Sequence, residues 1–158
     1  MRHSTYQQLT DLQRKALDSA EEALQNSYNP YSNFFVGAAL FAEDGTLVSG
    51  TNFENAAYGS TICAERSATF RANAMGLRRF SGIAIIARGS NFDTTEVTGP
   101  CGSCRQVLYE LAQLSGTEFE VVLSTTKKDK LIIASIKELL PLGFGPLDLG
   151  IDIAKYQK

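Results

Sequence analysis

The chain has 158 residues, 44% of them hydrophobic and 20% charged, with a formal net charge of −2. That length and apolar fraction suit a single domain with an ordinary buried core. Lys and Arg are scattered, giving no basic face of the kind polynucleotide binding draws on, and no stretch approaches the ~20 apolar residues of a membrane span.

The N-terminus has no apolar segment of signal-peptide length, so the expected location is the cytoplasm. Residues 5–26 carry Leu9, Leu12, Ala16, Ala20, Ala23 and Leu24 at mostly three- and four-residue spacing, which predicts a helix. Thr5 with Gln8 fits a capping box at its start. NPYSN at 29–33 breaks that helix. Strands are predicted at 35–42 and 46–54, joined across Asp44-Gly45, a dipeptide favoured in tight hairpins. A helix opens near Cys63 and runs to Gly76, a suitable residue just past a helix end.

GIAIIA at 82–87 is a continuous apolar run, as in a strand covered on both faces. A polar loop, 88–99, leads to Pro100 and a helix from about 102 to 114. Strands follow at 118–124 and 130–134. The link between them is too short for a parallel crossover, so this pair is expected to be antiparallel. Ser135 with Glu138 caps a short helix ending at Pro141. The order predicts an α/β fold: one domain over 1–158, with a mixed five-stranded sheet between helices.

The only three cysteines are Cys63, Cys101 and Cys104. In a reducing compartment they serve metal binding, catalysis or packing rather than disulfides. Cys101 and Cys104 are one helical turn apart and can face the same way, and Cys63 begins another helix. Helix starts favour thiolates, and thiolates suit a borderline ion such as zinc. The single histidine, His3, lies in a terminus expected to fray, so no fourth ligand of the usual kind is at hand. Three ligands leave one position open, as in catalytic rather than structural zinc sites. Glu65, two residues after Cys63, is a candidate acid–base group beside such an ion. A first-turn Glu is also what a helix dipole favours on its own account. Three thiolates and Zn²⁺ carry a net −1, which Arg66 or Arg105 could offset by donating to sulfur.

These residues resemble the small, homotetrameric, three-cysteine cytidine deaminases of pyrimidine salvage. The likeness runs through NPYSNFFVGAAL (29–40), TNFENAAYGSTICAERSA (51–68), PCGSCRQVLYE (100–110) and ELLPLGFGPLDL (138–149). It implies a three-layer α/β/α fold and one Zn²⁺ per subunit. The implied reaction takes cytidine or 2′-deoxycytidine, with water, to the uridine counterpart and ammonia. By the same resemblance Cys63, Cys101 and Cys104 would be the zinc ligands, and Glu65 would shuttle the proton as water adds at C4 and ammonia leaves. Asn52 and Glu54 would hold the ribose 3′-hydroxyl, Phe34 would stack on the pyrimidine, and the Ala64 backbone would face the base. Tyr58 and Phe144 would line sites shared between subunits, and Arg66 would contact ligand sulfur. Gly99 stands where the family often has Ser.

Three other readings are available. A relative acting on another aminopyrimidine, such as blasticidin S, is disfavoured by NFEN and ELLPLGFGP, which in this family serve nucleoside binding. A polynucleotide editor would need a basic groove. A zinc-stabilised structural module would need a fourth ligand.

Overall fold

The computed structural model describes residues 1–157. Its strands are β1 (Arg2–Ser4), β2 (Phe34–Phe41), β3 (Leu47–Thr51), β4 (Gly82–Gly89), β5 (Glu120–Ser124) and β6 (Leu131–Ser135). Its helices are α1 (Asp11–Leu24), α2 (Ala64–Ala74), α3 (Gly102–Ser115) and the single turn α4 (Ile136–Leu139). The strands form one mixed sheet in the order β1-β6-β5-β4-β2-β3. β4 and β5 run parallel across α3, and every other neighbouring pair is antiparallel, including the expected β5–β6 pair.

Two apolar layers explain this arrangement. Side chains alternate across a strand, so the unbroken run in β4 sends Ile83 and Ile85 to one face and Ala84 and Ile86 to the other. The first face packs on α2 and α3 through Ala64, Ala68, Leu108 and Leu111. The second packs on α1 through Ala16, Leu17, Ala20 and Leu24. Close approach is secured by glycine on both sides. A Cβ on Gly37 would sit 1.9 Å from the Ala20 carbonyl oxygen of α1, and one on Gly50 would sit 2.3 Å from the Ala68 nitrogen of α2.

The architecture is the expected α/β/α sandwich, with two corrections at the N-terminus. The sheet has six strands rather than five, because Arg2–Ser4 pairs with Leu131–Ile133 along the outer edge of β6. His3 is therefore part of a ladder and not of a frayed end. Three residues are too few for strand periodicity to be visible, and what recruits them is the unpaired edge of β6. The helix expected over 5–26 is also divided. TxxQ occurs twice, at 5–8 and 10–13, and each copy closes its own capping box. The first caps a single 3-10 turn, Tyr6–Gln8. Leu9 is then extended, and Thr10 with Gln13 starts the true helix.

The loop at 88–97 and the β5–β6 turn, uninformative as sequence, are fastened to each other. Lys127 pairs with Asp93, Lys130 with Glu96, and the Thr126 hydroxyl donates to Asp93. Lys128 turns the other way, to Asp18 and Glu21 of α1. The lysines of KKDK at 127–130 thus clamp this turn to the 88–97 loop and to α1. Among the described residues no helix is long and apolar enough to cross a membrane.

Candidate metal centre and active site

The antiparallel registers bring several distant segments to one end of the sheet. Phe34, at the start of β2, lies opposite Gly89, at the end of β4, and Gly37 lies opposite Thr51 near the end of β3. The chain leaves β4 at that end and returns through Pro100 into α3. α2 is packed against β3 through Gly50, which draws the start of that helix toward the start of α3.

Cys63 and Cys101 are the N-cap residues of α2 and α3, and Cys104 lies in the first turn of α3. The three sulfurs are within 4.8 Å of one another, forming the one cluster of metal-ligating side chains found among the described residues. The Cys63 and Cys101 sulfurs are 3.9 Å apart. Two thiolates on a tetrahedral zinc with Zn–S of ~2.3 Å would be separated by about 3.8 Å, so this spacing suits an ion between them. It is far too long for a disulfide of about 2.05 Å. The donor set itself, three sulfurs with one exposed on Cys101, suits a borderline ion with a face left open.

The electrostatics of the cluster favour the anion at Cys63. The Cys104 thiol hydrogen-bonds the Cys63 sulfur and, with Arg66 and Cys101, brings Cys63 down to about 5 against the effect of burial. That same contact and burial push Cys104 up. Arg66 donates to the Thr61 carbonyl at 3.0 Å and lies 3.8 Å from the Cys63 sulfur. Its Nε is buried with no partner. Arg105 does not reach the sulfurs. Its side chain turns back to main-chain carbonyls instead.

Glu65 is buried, 4% exposed, one residue inside α2. Burial, reinforced by the negative charge on Cys63, raises its carboxyl to about 7. A cation among the sulfurs would draw it back down. Ala64, fully buried, opens α2, where the first amides lack helical partners.

Asn52 and Glu54 both sit just beyond β3 and are largely buried. Asn52 bridges to the neighbouring strand: its Oδ1 accepts from the Val36 amide at 3.0 Å, and its Nδ2 donates to the Phe34 carbonyl at 2.8 Å. One Glu54 oxygen accepts from the Tyr31 and Ser32 amides at 2.9 and 3.2 Å. Ser32 first, and then Tyr31, hold that carboxyl below its usual range. Glu54 therefore anchors the NPYSN loop, and Asn52 fixes the start of β2 that follows it. Phe34 is half-buried at the start of β2. Tyr58 lies edge-on to Tyr31, and Tyr58 and Phe144 are 73% and 60% exposed.

Sequence reasoning missed the aromatic pairing around this loop. Tyr28 packs on Phe53 with ring centroids 4.9 Å apart, while short bridges join Tyr28 to Phe53 and Phe53 to Ile62. These contacts depend on chain crossings that no spacing rule encodes. Also unforeseen was how α3 seats the segment carrying Phe144. Gln106 donates to the Phe144 carbonyl at 2.8 Å, and the Leu147 amide donates to Gln113. The only advance sign was the polar stripe Gln106, Glu110 and Gln113 on an otherwise apolar helix.

The family model for the cytidine and deoxycytidylate deaminase zinc-binding region matches residues 10–115. Cytidine deaminase from Sporosarcina psychrophila is 42% identical over 135 residues, 85% of this chain and 93% of that protein. Probable cytidine deaminase from Dictyostelium discoideum is 39% identical over 136 residues, 85% of each chain. Among solved structures, cytidine deaminase from Burkholderia pseudomallei superposes with a TM-score of 0.74 at 40% identity, covering 86% of this chain and 100% of that one. Cytidine deaminase from Mycobacterium tuberculosis gives 0.67 at 32%, covering 87% and 99%. Likeness in sequence and in shape extends over the same segments that gather the sulfurs, and this chain belongs to the cytidine and deoxycytidylate deaminase family.

Proposed function

We propose that this chain, as one domain over 1–158, hydrolyses the C4 amine of cytidine and 2′-deoxycytidine, giving uridine or 2′-deoxyuridine and ammonia. The carrying observation is the three-sulfur cluster with a buried carboxyl at the foot of one of its helices. Cys63, Cys101 and Cys104 would hold one Zn²⁺. When bound, the metal supplies Lewis-acid chemistry that makes water nucleophilic at neutral pH.

Glu65 takes a proton from the attacking water and delivers it to N3 of the base. Glu65 then moves the proton of the added hydroxyl to the exocyclic nitrogen, the C4–N bond breaks, and ammonia leaves as the C4 carbonyl forms. Glu65 suits both steps because a buried carboxyl at the foot of the ligand-bearing helix can accept a proton and return it within one turnover. Arg66 donates toward the Cys63 sulfur and offsets the negative charge of three thiolates.

Glu54 spends one oxygen on the NPYSN loop and Asn52 part of its amide on Phe34 and Val36 of β2, which fixes their orientation. The remaining Nδ2 hydrogen of Asn52 and the second Glu54 oxygen are assigned to the ribose 3′-hydroxyl. Such a pair selects a nucleoside over a free base, since a missing hydroxyl leaves buried polar groups unmatched. Phe34 stacks on the pyrimidine, and the Ala64 backbone meets its edge.

Tyr58 and Phe144 are too exposed in one chain to enclose a substrate. Their exposure supports a homotetramer in which neighbouring subunits complete each site. Three free cysteines agree with a reducing cytoplasm and a role in pyrimidine salvage. The test is ammonia release from cytidine by purified protein, with and without a chelator. No release from metal-replete protein would refute the reading.

A further inference from the structure

Cys101 is the most exposed of the three sulfur-bearing residues and is introduced by a long loop rather than by a strand. Its position must be fixed by something. Both carbonyls that flank its place in the chain are held by one residue, Arg105. The Arg105 amide donates to the Cys101 carbonyl at 2.9 Å, the first hydrogen bond of α3. The Arg105 Nε donates to the Pro100 carbonyl, also at 2.9 Å. Pro100 has a fixed φ and is buried, so this contact leaves the peptide entering Cys101 little freedom.

The other arm of the guanidinium reaches elsewhere. Arg105 Nη1 donates to the Leu139 carbonyl at 2.9 Å. Leu139 is the last residue of α4, and that carbonyl has no helical partner of its own because the helix ends there. From this point the chain runs through Pro141 and Gly143 to Phe144. Gly143 lies so close to α3 that a Cβ would meet the Tyr109 ring at 2.9 Å, and Gln106 donates to the Phe144 carbonyl at 2.8 Å.

We infer that Arg105 is a positioning residue that ties the metal-ligand peptide Pro100–Cys101 to the 139–144 segment carrying Phe144, so that a subunit's own metal centre and the aromatic it offers to a shared site keep a fixed separation. The inference rests on reading the sulfurs as a zinc centre. A guanidinium suits the task because its planar fork donates in two directions at once, whereas an ammonium is a single point on a flexible stem. Groups that orient metal ligands from behind typically change metal affinity by about 10–100-fold when removed.

The test uses the zinc-loaded protein and two variants, Arg105→Lys and Arg105→Gln, with Gln106→Ala as a comparison. Zinc transfer to a chromogenic chelator is timed, and kcat and KM for cytidine are measured separately. Arg105→Lys keeps the charge and the aliphatic stem, and is expected to keep the thermal midpoint and assembly of the parent. It should release zinc at least about 10-fold faster and also raise KM. Gln106→Ala, which loosens only the Phe144 carbonyl, should raise KM with zinc release unchanged. Wild-type release and KM in Arg105→Lys would overturn the assignment, whether or not Arg105→Gln folds. Faster zinc release with KM unchanged would also overturn it, since the link to 139–144 would then be absent. A parent protein that retains no zinc would count against the zinc reading itself, a result distinct from both.

Discussion

Gly50→Ala should damage catalysis from a residue with no functional group. Gly50 is in mid-strand, and its backbone lies outside the left-handed region, so alanine is conformationally permitted. The obstacle is space. A Cβ there would be 2.3 Å from the Ala68 nitrogen and 2.7 Å from the Ala64 carbonyl oxygen, where ordinary contact begins at 3.4 Å. Both atoms are helix backbone and cannot rotate away, so the start of α2 must move by about 1 Å. Overpacking of this kind costs roughly 1–3 kcal/mol, offset by about 0.4–1 kcal/mol from the stiffer unfolded chain. The net cost is about 0–2.6 kcal/mol, and at about 2–4 °C per kcal/mol for a chain of this size the thermal midpoint should fall by up to roughly 10 °C. The same displacement carries Cys63 and Glu65, and a shift of about 1 Å in positioned groups can cost on the order of 100-fold in rate. Thermal unfolding and ammonia release from cytidine measure the two effects on one preparation. A midpoint within about 1 °C of the parent together with an unchanged rate would show that β3 does not set the position of α2.

Glu65→Gln keeps the shape of the site but cannot move protons, so kcat should drop by about 10²–10⁴-fold while metal content stays at one equivalent by elemental analysis. Phe144→Ala should raise KM for cytidine with little change in zinc content; an unchanged KM and unchanged assembly by sedimentation would argue against shared sites. Glu54 carries a pH signature. Its carboxyl is held low in the fold by Ser32 and Tyr31, so its stabilising effect is present above the unfolded value of about 4.3 and is lost as pH falls through the lower folded value. The stability gap between the parent and Glu54→Gln should therefore shrink in that acid range. A gap independent of pH would mean that the ionised carboxylate does not hold the loop.

Local chemistry made much of this protein readable from its sequence. The apolar run of β4, the short β5–β6 link and the paired helix starts at Cys63 and Cys101 each follow from periodicity, reach or capping within a few residues. So did the candidate ligand set, because three cysteines with no usable histidine limit what a metal could find. The resemblance then suggested the roles proposed for Phe34, Asn52, Glu54, Tyr58 and Phe144, which residue types alone do not encode. Where the sequence misled, the controlling partner lay far along the chain. Arg2–Ser4 becomes a strand because β6, more than a hundred residues away, offers an unpaired edge. The first helix begins late because Leu9 is drawn into the core between two capping boxes. Arg105 looks like a charge for sulfur, yet its donors are taken by the Pro100 and Leu139 carbonyls, a choice made only once α3 and α4 are docked. Sequence thus determined which groups could do chemistry, and tertiary structure decided how far apart they stand, because those separations come from strand register and backbone contacts between remote segments.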